Sequence, residues 1–256
     1  MKRRTVSLIV VIGLFLCSQG AYAGPLFENG DFETGNFQGW TITRDKTKNY
    51  NTPRPDPVVI DSSSTMLYQD LEIAPYGGQY MARINDVKGG YDTTTLSQTA
   101  TLTGADVLDG TFLNVDWGTV LVEPPNDHNT GGAPDFELSL SYFDGHDDIG
   151  LEYFSSEATD RDGSWVNAGT YGDSTGGTLW YKHGSWVFDL STLSVGTEIT
   201  LSMTANDCGL SGHGGYAFLD NIGTTHAGDP VPEPATMLLF GTGIAGLAGA
   251  RIRRKK

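Results

Sequence analysis

Residues 136–142 read FELSLSY, and their alternation decides the fold. Phe136, Leu138 and Leu140 fall on one side of an extended chain, and Glu137, Ser139 and Ser141 fall on the other. That is the period of two of a half-buried strand. Short alternating runs recur as QYMARI (79–84), TLSQTATL (95–102), TFLNVDW (111–117), SWVFDL (185–190), EITLSM (198–203) and YAFLDNI (216–222). Turn clusters such as Tyr76-Gly77-Gly78, Lys88-Gly89-Gly90 and Asp162-Gly163 separate many of them. Gly contributes 34 of 256 residues, about twice the usual ~7% share, which favours turns and short strands over helices. The stretch from Gly24 to about Ala227 shows no heptads, no 20–50-residue repeat and no long helical period. These features predict an all-β body, an antiparallel sandwich over residues 24–227. Pro53 to Pro57 and Pro124 to Pro134 read as loops, without a shift in composition that would split the body in two.

The charge is distributed unevenly. Sixteen Lys and Arg face 31 Asp and Glu, a formal net charge of -15. Eight of the basic residues sit at the ends: Lys2, Arg3, Arg4, Arg251, Arg253, Arg254, Lys255 and Lys256. Residues 24–230 keep eight basic side chains against 30 acidic ones, a charge of −22. A surface of that sign repels phosphate backbones and anionic lipid, which excludes nucleic acid as a partner. It suits a solvated extracellular protein or one that binds cations.

The N-terminal stretch has the three parts of a secretory signal. Lys2 to Arg4 are positive, Val6 to Cys17 are apolar, and Ala21-Tyr22-Ala23 supplies an A-x-A cleavage site. Residues 1–23 are therefore expected to leave the mature chain. The run is too short for a membrane anchor. Leu16 precedes Cys17 where a lipoprotein signal wants a small residue. Loss of Cys17 leaves Cys208 without a partner for an intrachain disulfide.

At the other end, Ala235 to Ala250 carries no charge. As a helix it would reach about 24 Å, a marginal span of a ~30 Å hydrocarbon core. Small residues recur there four apart, at Gly241 and Ala245 and at Gly246 and Ala250, allowing close helix contact. The basic residues Arg251, Arg253, Arg254, Lys255 and Lys256 would stay cytoplasmic. Export of the N-terminus and retention of this tip agree on one topology, body outside and tail inside. The plain reading is a tail anchor. The residues before the span, Val231-Pro232-Glu233-Pro234, make it more specific. Over residues 228–256 the order Pro-Glu-Pro, apolar helix, basic tip resembles the PEP-CTERM sorting signal of Gram-negative bacteria. The resemblance implies processing by an exosortase-type membrane enzyme, a transient stay in the inner membrane, and delivery to the cell surface or the extracellular matrix. It also implies association with exopolysaccharide and biofilm.

The body opens with Asn29-Gly30-Asp31-Phe32-Glu33 followed by Gly39-Trp40, and closes with Leu219-Asp220-Asn221-Ile222. These bookends resemble the galactose-binding-like jelly rolls of carbohydrate-binding modules. The resemblance implies a structural calcium at Asp220, with Asp31 and Glu33 the nearest matching acids, because oxygen ligands from several segments suit a hard cation. The alternative is that Asp220 accepts hydrogen bonds from backbone amides. Trp180 and Tyr181 follow the turn-rich Gly176-Gly177 and are expected on a loop, where they could stack on a sugar ring or form an ordinary exposed surface. Trp40 and Trp117 lie in strand patterns and belong to the core. The acidic Asp144 to Asp148 reads as a solvated turn.

Catalysis has one candidate pair, Cys208 and His213 in NDCGLSGHGG, as nucleophile and base. The five His lack metal-ligand spacing, and no phosphate loop or dinucleotide fingerprint is present. The expectation is a non-catalytic exported protein. A calcium-stabilised carbohydrate-binding module is the first alternative and a secreted hydrolase the second.

Overall fold

In FELSLSY the apolar positions do face one way. Phe136, Leu138 and Leu140 are fully buried, and Glu137, Ser139 and Ser141 are half-buried on the opposite side of the strand. The computed structural model describes residues 25–46, 57–61, 73–85, 92–108, 110–123, 133–143, 148–157, 164–171, 177–208 and 213–226. Within them run strands β1 (Thr41–Lys46), β2 (Val58–Asp61), β3 (Tyr80–Ile84), β4 (Asp92–Thr101), β5 (Thr111–Glu123) and β6 (Asp135–Phe143). They continue as β7 (Asp148–Glu157), β8 (Val166–Tyr171), β9 (Gly177–Asp189), β10 (Glu198–Asn206) and β11 (Gly215–His226).

The strands form a β-sandwich of two sheets. One has the order β1-β4-β10-β6-β7 and the other the order β2-β3-β11-β5-β9-β8. Every pairing is antiparallel. From β3 onward the chain passes repeatedly between the sheets, so strands distant in sequence become neighbours. Leu96, Phe136, Leu138, Ile199, Leu201 and Met203 of the five-stranded sheet pack against Ala82, Ile84, Leu113, Val115, Trp117 and Leu219 of the other. Those facing apolar sides are the main core, the arrangement expected when both sheets alternate. The outer face of the five-stranded sheet is rich in hydroxyls, with Thr95 bonded to Thr204 at 2.9 Å and Thr99 to Thr200 at 2.8 Å.

The sequence bookends meet in space. Ile222 N–H donates to the Gly30 carbonyl at 3.0 Å. A Cβ on Gly30 would strike the Ile222 carbonyl, so the close approach needs glycine there. Residues 27–40 are turns rather than a strand, and β1 begins only at Thr41. Phe27, Phe32 and Trp40 are buried in the core. The Phe32 and Trp40 rings lie 5.3 Å apart between centroids. Trp117 is a core residue too.

Among the described residues no helix is long and apolar enough to cross a membrane. The signal residues Ala21 and Ala23 and the segment 228–256, with Val231, Pro232, Glu233, Pro234 and the basic tip, lie outside the described residues. Of the expected solvated turn, 144–147 also lie outside, while Asp148 opens β7.

Candidate functional site

Strand β5 changes character along its length. From Thr111 to Asp116 buried and half-buried residues alternate, but Trp117 to Val122 are all buried. Leu113, Val115 and Trp117 face the other sheet. Val120 and Val122 face outward and are covered by a second cluster, with Ile60, Ile73, Met81, Leu179 and Phe218. Tyr76, Tyr181 and Tyr216 pack on this cluster, half-buried. The outer face of the six-stranded sheet is thus apolar and aromatic at one end.

The register fixes the neighbouring polar groups. Asp116 of β5 pairs with Asp220 of β11 on one side and with Ser185 of β9 on the other. Gly118 pairs with His183, and Val120 with Tyr181. Directly paired residues point to the same face, so Asp116, Asp220, Tyr181, His183 and Ser185 share it. Segment 73–79 crosses that face and contributes Tyr76. The Tyr76 and His183 rings stack at 6.0 Å and 16°, and those of Tyr181 and His183 at 5.3 Å and 18°. The two tyrosine hydroxyls are 3.4 Å apart. Tyr76 lies over Gly118, where a Cβ would collide with its hydroxyl. His183 is exposed at the top of this stack.

Asp220 is the buttress. Its side chain is fully buried. Oδ2 accepts from Tyr76 N–H at 2.8 Å and Gly77 N–H at 3.0 Å, and Oδ1 accepts from Asn221 N–H at 2.8 Å. Asn221 has φ +50°, at the bulge where the β5–β11 register shifts. Its side-chain amide donates to Asp116 Oδ2 at 2.9 Å, and Ser185 Oγ donates to Asp116 Oδ1. Burial raises the Asp220 carboxyl to about 6, with the Asp116 charge adding to the rise and the three amide hydrogen bonds opposing it. Burial likewise raises the Tyr76 phenol far above its usual value, helped by Tyr181, Asp220 and Asp116. The Tyr181 phenol is raised by burial as well. Both phenols are therefore neutral donors at any physiological pH. The face offers stacked rings, neutral hydroxyl donors and the carboxylate of Asp116, the mixture of apolar surface and few placed polar groups that suits a small polar ligand.

The acids to which the resemblance assigned calcium are engaged elsewhere. Glu33 Oε1 accepts from Gln79 N–H at 2.6 Å and Tyr80 N–H at 2.9 Å. Asp31 Oδ1 accepts from Glu33 N–H at 3.2 Å. Among the described residues no group of three His, Cys, Asp or Glu side chains could hold a metal ion. Asp31, Glu33 and Asp220 thus do not fit a metal centre, and the hydrogen-bonding role of Asp220 is the one the geometry supplies. Two backbone latches result, with Asp220 holding residues 76–77 and Glu33 holding 79–80.

Trp180 and Tyr181 need correction on two points. Both belong to β9 rather than a loop. Being consecutive in a strand, they face opposite ways. Trp180 pairs with Leu121, packs with Leu121, Ala133 and Trp165, and donates Nε1–H to Glu123 Oε2 at 2.7 Å. Only Tyr181 reaches the outer site, so the two cannot form one platform. Tyr76, His183 and Asp116 were not anticipated. Tyr76 reads as a turn residue and meets Asp220 across 144 positions. The one legible signal is the apolar run Val120-Leu121-Val122, whose consecutive residues imply a strand covered on both faces. Cys208 N–H donates to the His213 carbonyl at 2.7 Å, a main-chain contact. The Cys208 thiol is fully buried, which denies a nucleophile its access.

No curated protein matches the chain in sequence. Among solved structures, it is similar to a carbohydrate-binding module of the β-sandwich superfamily from work on promiscuous specificity, at 9% identity and TM-score 0.39. That match covers 79% of this chain and 62% of the other, so the chain spans less than two thirds of that relative. It is similar to a mannan-recognising carbohydrate-binding module at 10% identity and TM-score 0.35, over 79% of this chain and 95% of that one. A C-terminal family 22 carbohydrate-binding module from Clostridium thermocellum matches at 13% identity and TM-score 0.30, over 84% and 99%. In sequence, residues 230–255 match the PEP-CTERM protein-sorting motif, so the chain carries the sorting signal of an exported protein processed at the membrane by an exosortase.

Proposed function

We propose that this is a non-catalytic surface or matrix protein of a Gram-negative bacterium. Residues 235–250 park it in the inner membrane, an exosortase-type enzyme processes it at Pro232-Glu233-Pro234, and the freed body joins the biofilm. The observation that carries this reading is the sorting motif at 230–255. The acidic body supports it, since a charge of −22 keeps the domain solvated and away from anionic membranes. The prolines support it physically, because they keep the segment before the span extended and open to a membrane enzyme. The buried thiol of Cys208 disfavours the hydrolase reading.

The partner outside the cell is extracellular polysaccharide, met by Tyr76, Tyr181 and His183. Sugar C–H faces pack on aromatic rings, and sugar hydroxyls exchange hydrogen bonds with phenols and with Asp116. The experiment is a pull-down of the full chain, in detergent, on polysaccharide extracted from the producing cells. A Tyr181→Ala, His183→Ala double variant should bind at least about tenfold more weakly, the loss of one hot aromatic contact. Equal binding by a folded double variant would remove the polysaccharide role from this face.

A further inference from the structure

We infer, building on the polysaccharide reading of the aromatic face, that the polymer it takes is cationic: a chain of sugars with free amino groups, received by the carboxylate of Asp116. Beyond the stacked rings the face continues as a strip along β9. Tyr181, His183, Ser185, Val187 and Asp189 occupy alternate positions, while Trp186 and Phe188 between them pack on the core, so the five point outward. His183, Ser185, Val187 and Asp189 are exposed and Tyr181 is half-buried. At ~3.3 Å per residue the strip is about 26 Å long, room for several sugars of one polymer. On β5 beside it, Asn114 stands opposite Val187 and Asp116 opposite Ser185.

The strip is acidic and has no counter-charge among the described residues. Asp116 accepts from neutral donors, the Ser185 hydroxyl at Oδ1 and the Asn221 amide at Oδ2 at 2.9 Å. Each oxygen keeps a second lone pair. Asp189 Oδ1 accepts from Ser191 N–H at 2.9 Å and from Ser191 Oγ at 2.7 Å, and these bonds hold its carboxyl below the ordinary range, so it stays charged. The basic side chains are turned elsewhere. Arg44 and Lys46 belong to β1, in the other sheet. Lys182 follows Tyr181 and faces the opposite way, its ammonium 5.5 Å from the Trp165 ring centre. Arg83 stands opposite Phe218, and its guanidinium lies 5.0 Å over the Tyr216 ring, on the side of Phe218 away from Asp220 and Asp116.

A protonated sugar amine complements this strip. It donates a charge-assisted hydrogen bond to Asp116, and its charge is drawn to the faces of aromatic rings. It also offsets the Asp116 charge, which is felt at the buried Asp220 directly opposite, where it helps to raise the carboxyl. Acetylation of the amine removes the charge and that bond. A uronate or sulfate would be repelled by Asp116 and Asp189. The field of the whole body has the same sign, since −22 draws a cationic polymer from a distance and repels an anionic one. Charge alone does not choose a sugar over a basic peptide. The rings of Tyr76, Tyr181 and His183 do, because sugar C–H faces pack on them.

The test is calorimetric titration of the full chain, in detergent, with tetramers of glucosamine, N-acetylglucosamine and galacturonate, and with tetralysine. The buffer keeps the amines protonated at about 0.15 M salt, where a Debye length of ~8 Å screens distant charge. The glucosamine tetramer should bind at least about tenfold more tightly than its acetylated form, the loss of one charge-assisted contact. The galacturonate tetramer should not bind. Asp116→Asn should abolish the preference for the free amine. Glu198→Gln, which takes the same single charge from an exposed position on β10 of the other sheet, should keep it. Equal binding of the glucosamine and N-acetylglucosamine tetramers would overturn the inference, and so would a preference that survives Asp116→Asn. Tetralysine binding as tightly as the glucosamine tetramer would overturn it too, by reducing the attraction to charge. The wild-type comparisons need no variant, so they decide even where Asp116→Asn fails to fold. Native polysaccharide captured in the pull-down, with no preference among the tetramers, would remove the amino-sugar class and leave the polysaccharide reading standing. Failure of that capture would remove both.

Discussion

At Asp220 two forces oppose each other. Burial disfavours the carboxylate, while three backbone N–H groups favour it, and burial dominates. A group whose folded pKa, here about 6, lies above its unfolded value of 3.8 contributes its stability at low pH. That contribution is complete below about pH 4 and is lost as pH rises through 6. The difference in melting temperature between wild type and Asp220→Asn should therefore shrink between pH 4.5 and 7, since Asn does not titrate. A difference that widened with pH would show that the three amides outweigh burial. Asp220→Ala should cost about 3 kcal/mol or more, because three buried N–H groups lose their acceptor. That corresponds to roughly 6–12 °C in melting temperature for a body of this size. The sequence offered two roles for Asp220 and could not choose between them. The choice depends on Tyr76 and Gly77, whose approach no local pattern announces.

At the scale of elements, the strands that were legible are those whose alternation faces the core. β6 exceeds FELSLSY by one residue at each end, while β10 and β11 start within a residue of EITLSM and YAFLDNI and run three and four residues past them. β1, β2, β7 and β8 escaped notice, and all four are edge strands. β2 has four residues, and β8 carries a register shift at Asn167 to Gly169. An edge strand buries less, so its sequence keeps less of the pattern. Of segment 76–80, residues 76–78 were legible only as a turn and 79–80 as the start of a strand, yet this is the element that builds the site. Its two latches should separate in hydrogen exchange. In wild type the amides of Tyr76, Gly77, Gln79 and Tyr80 should all be protected. Glu33→Ala should release Gln79 and Tyr80 and leave Tyr76 and Gly77 protected. Release of all four together would mean that the segment opens as one unit.

On the scale of the whole molecule, the ends and the middle do different work. On the function proposed, the −22 body stays in solution, and the apolar run at 235–250 with its basic tip stops at a membrane. The Pro-Glu-Pro segment joins them, inside the matched sorting motif. Replacing Pro232, Glu233 and Pro234 with alanine should leave an uncut protein in the inner membrane, found by fractionation at its full precursor mass less the signal. Deleting Arg251 to Lys256 should act differently, letting the span slip and the body mislocalise even with Pro-Glu-Pro intact. The most direct measurement is the intact mass of wild-type protein recovered from the cell surface or matrix. The account predicts a chain that begins at Gly24 and has lost the apolar run and the basic tip. Residues 235–256 still attached at that location would contradict it and reduce the segment to an ordinary membrane anchor.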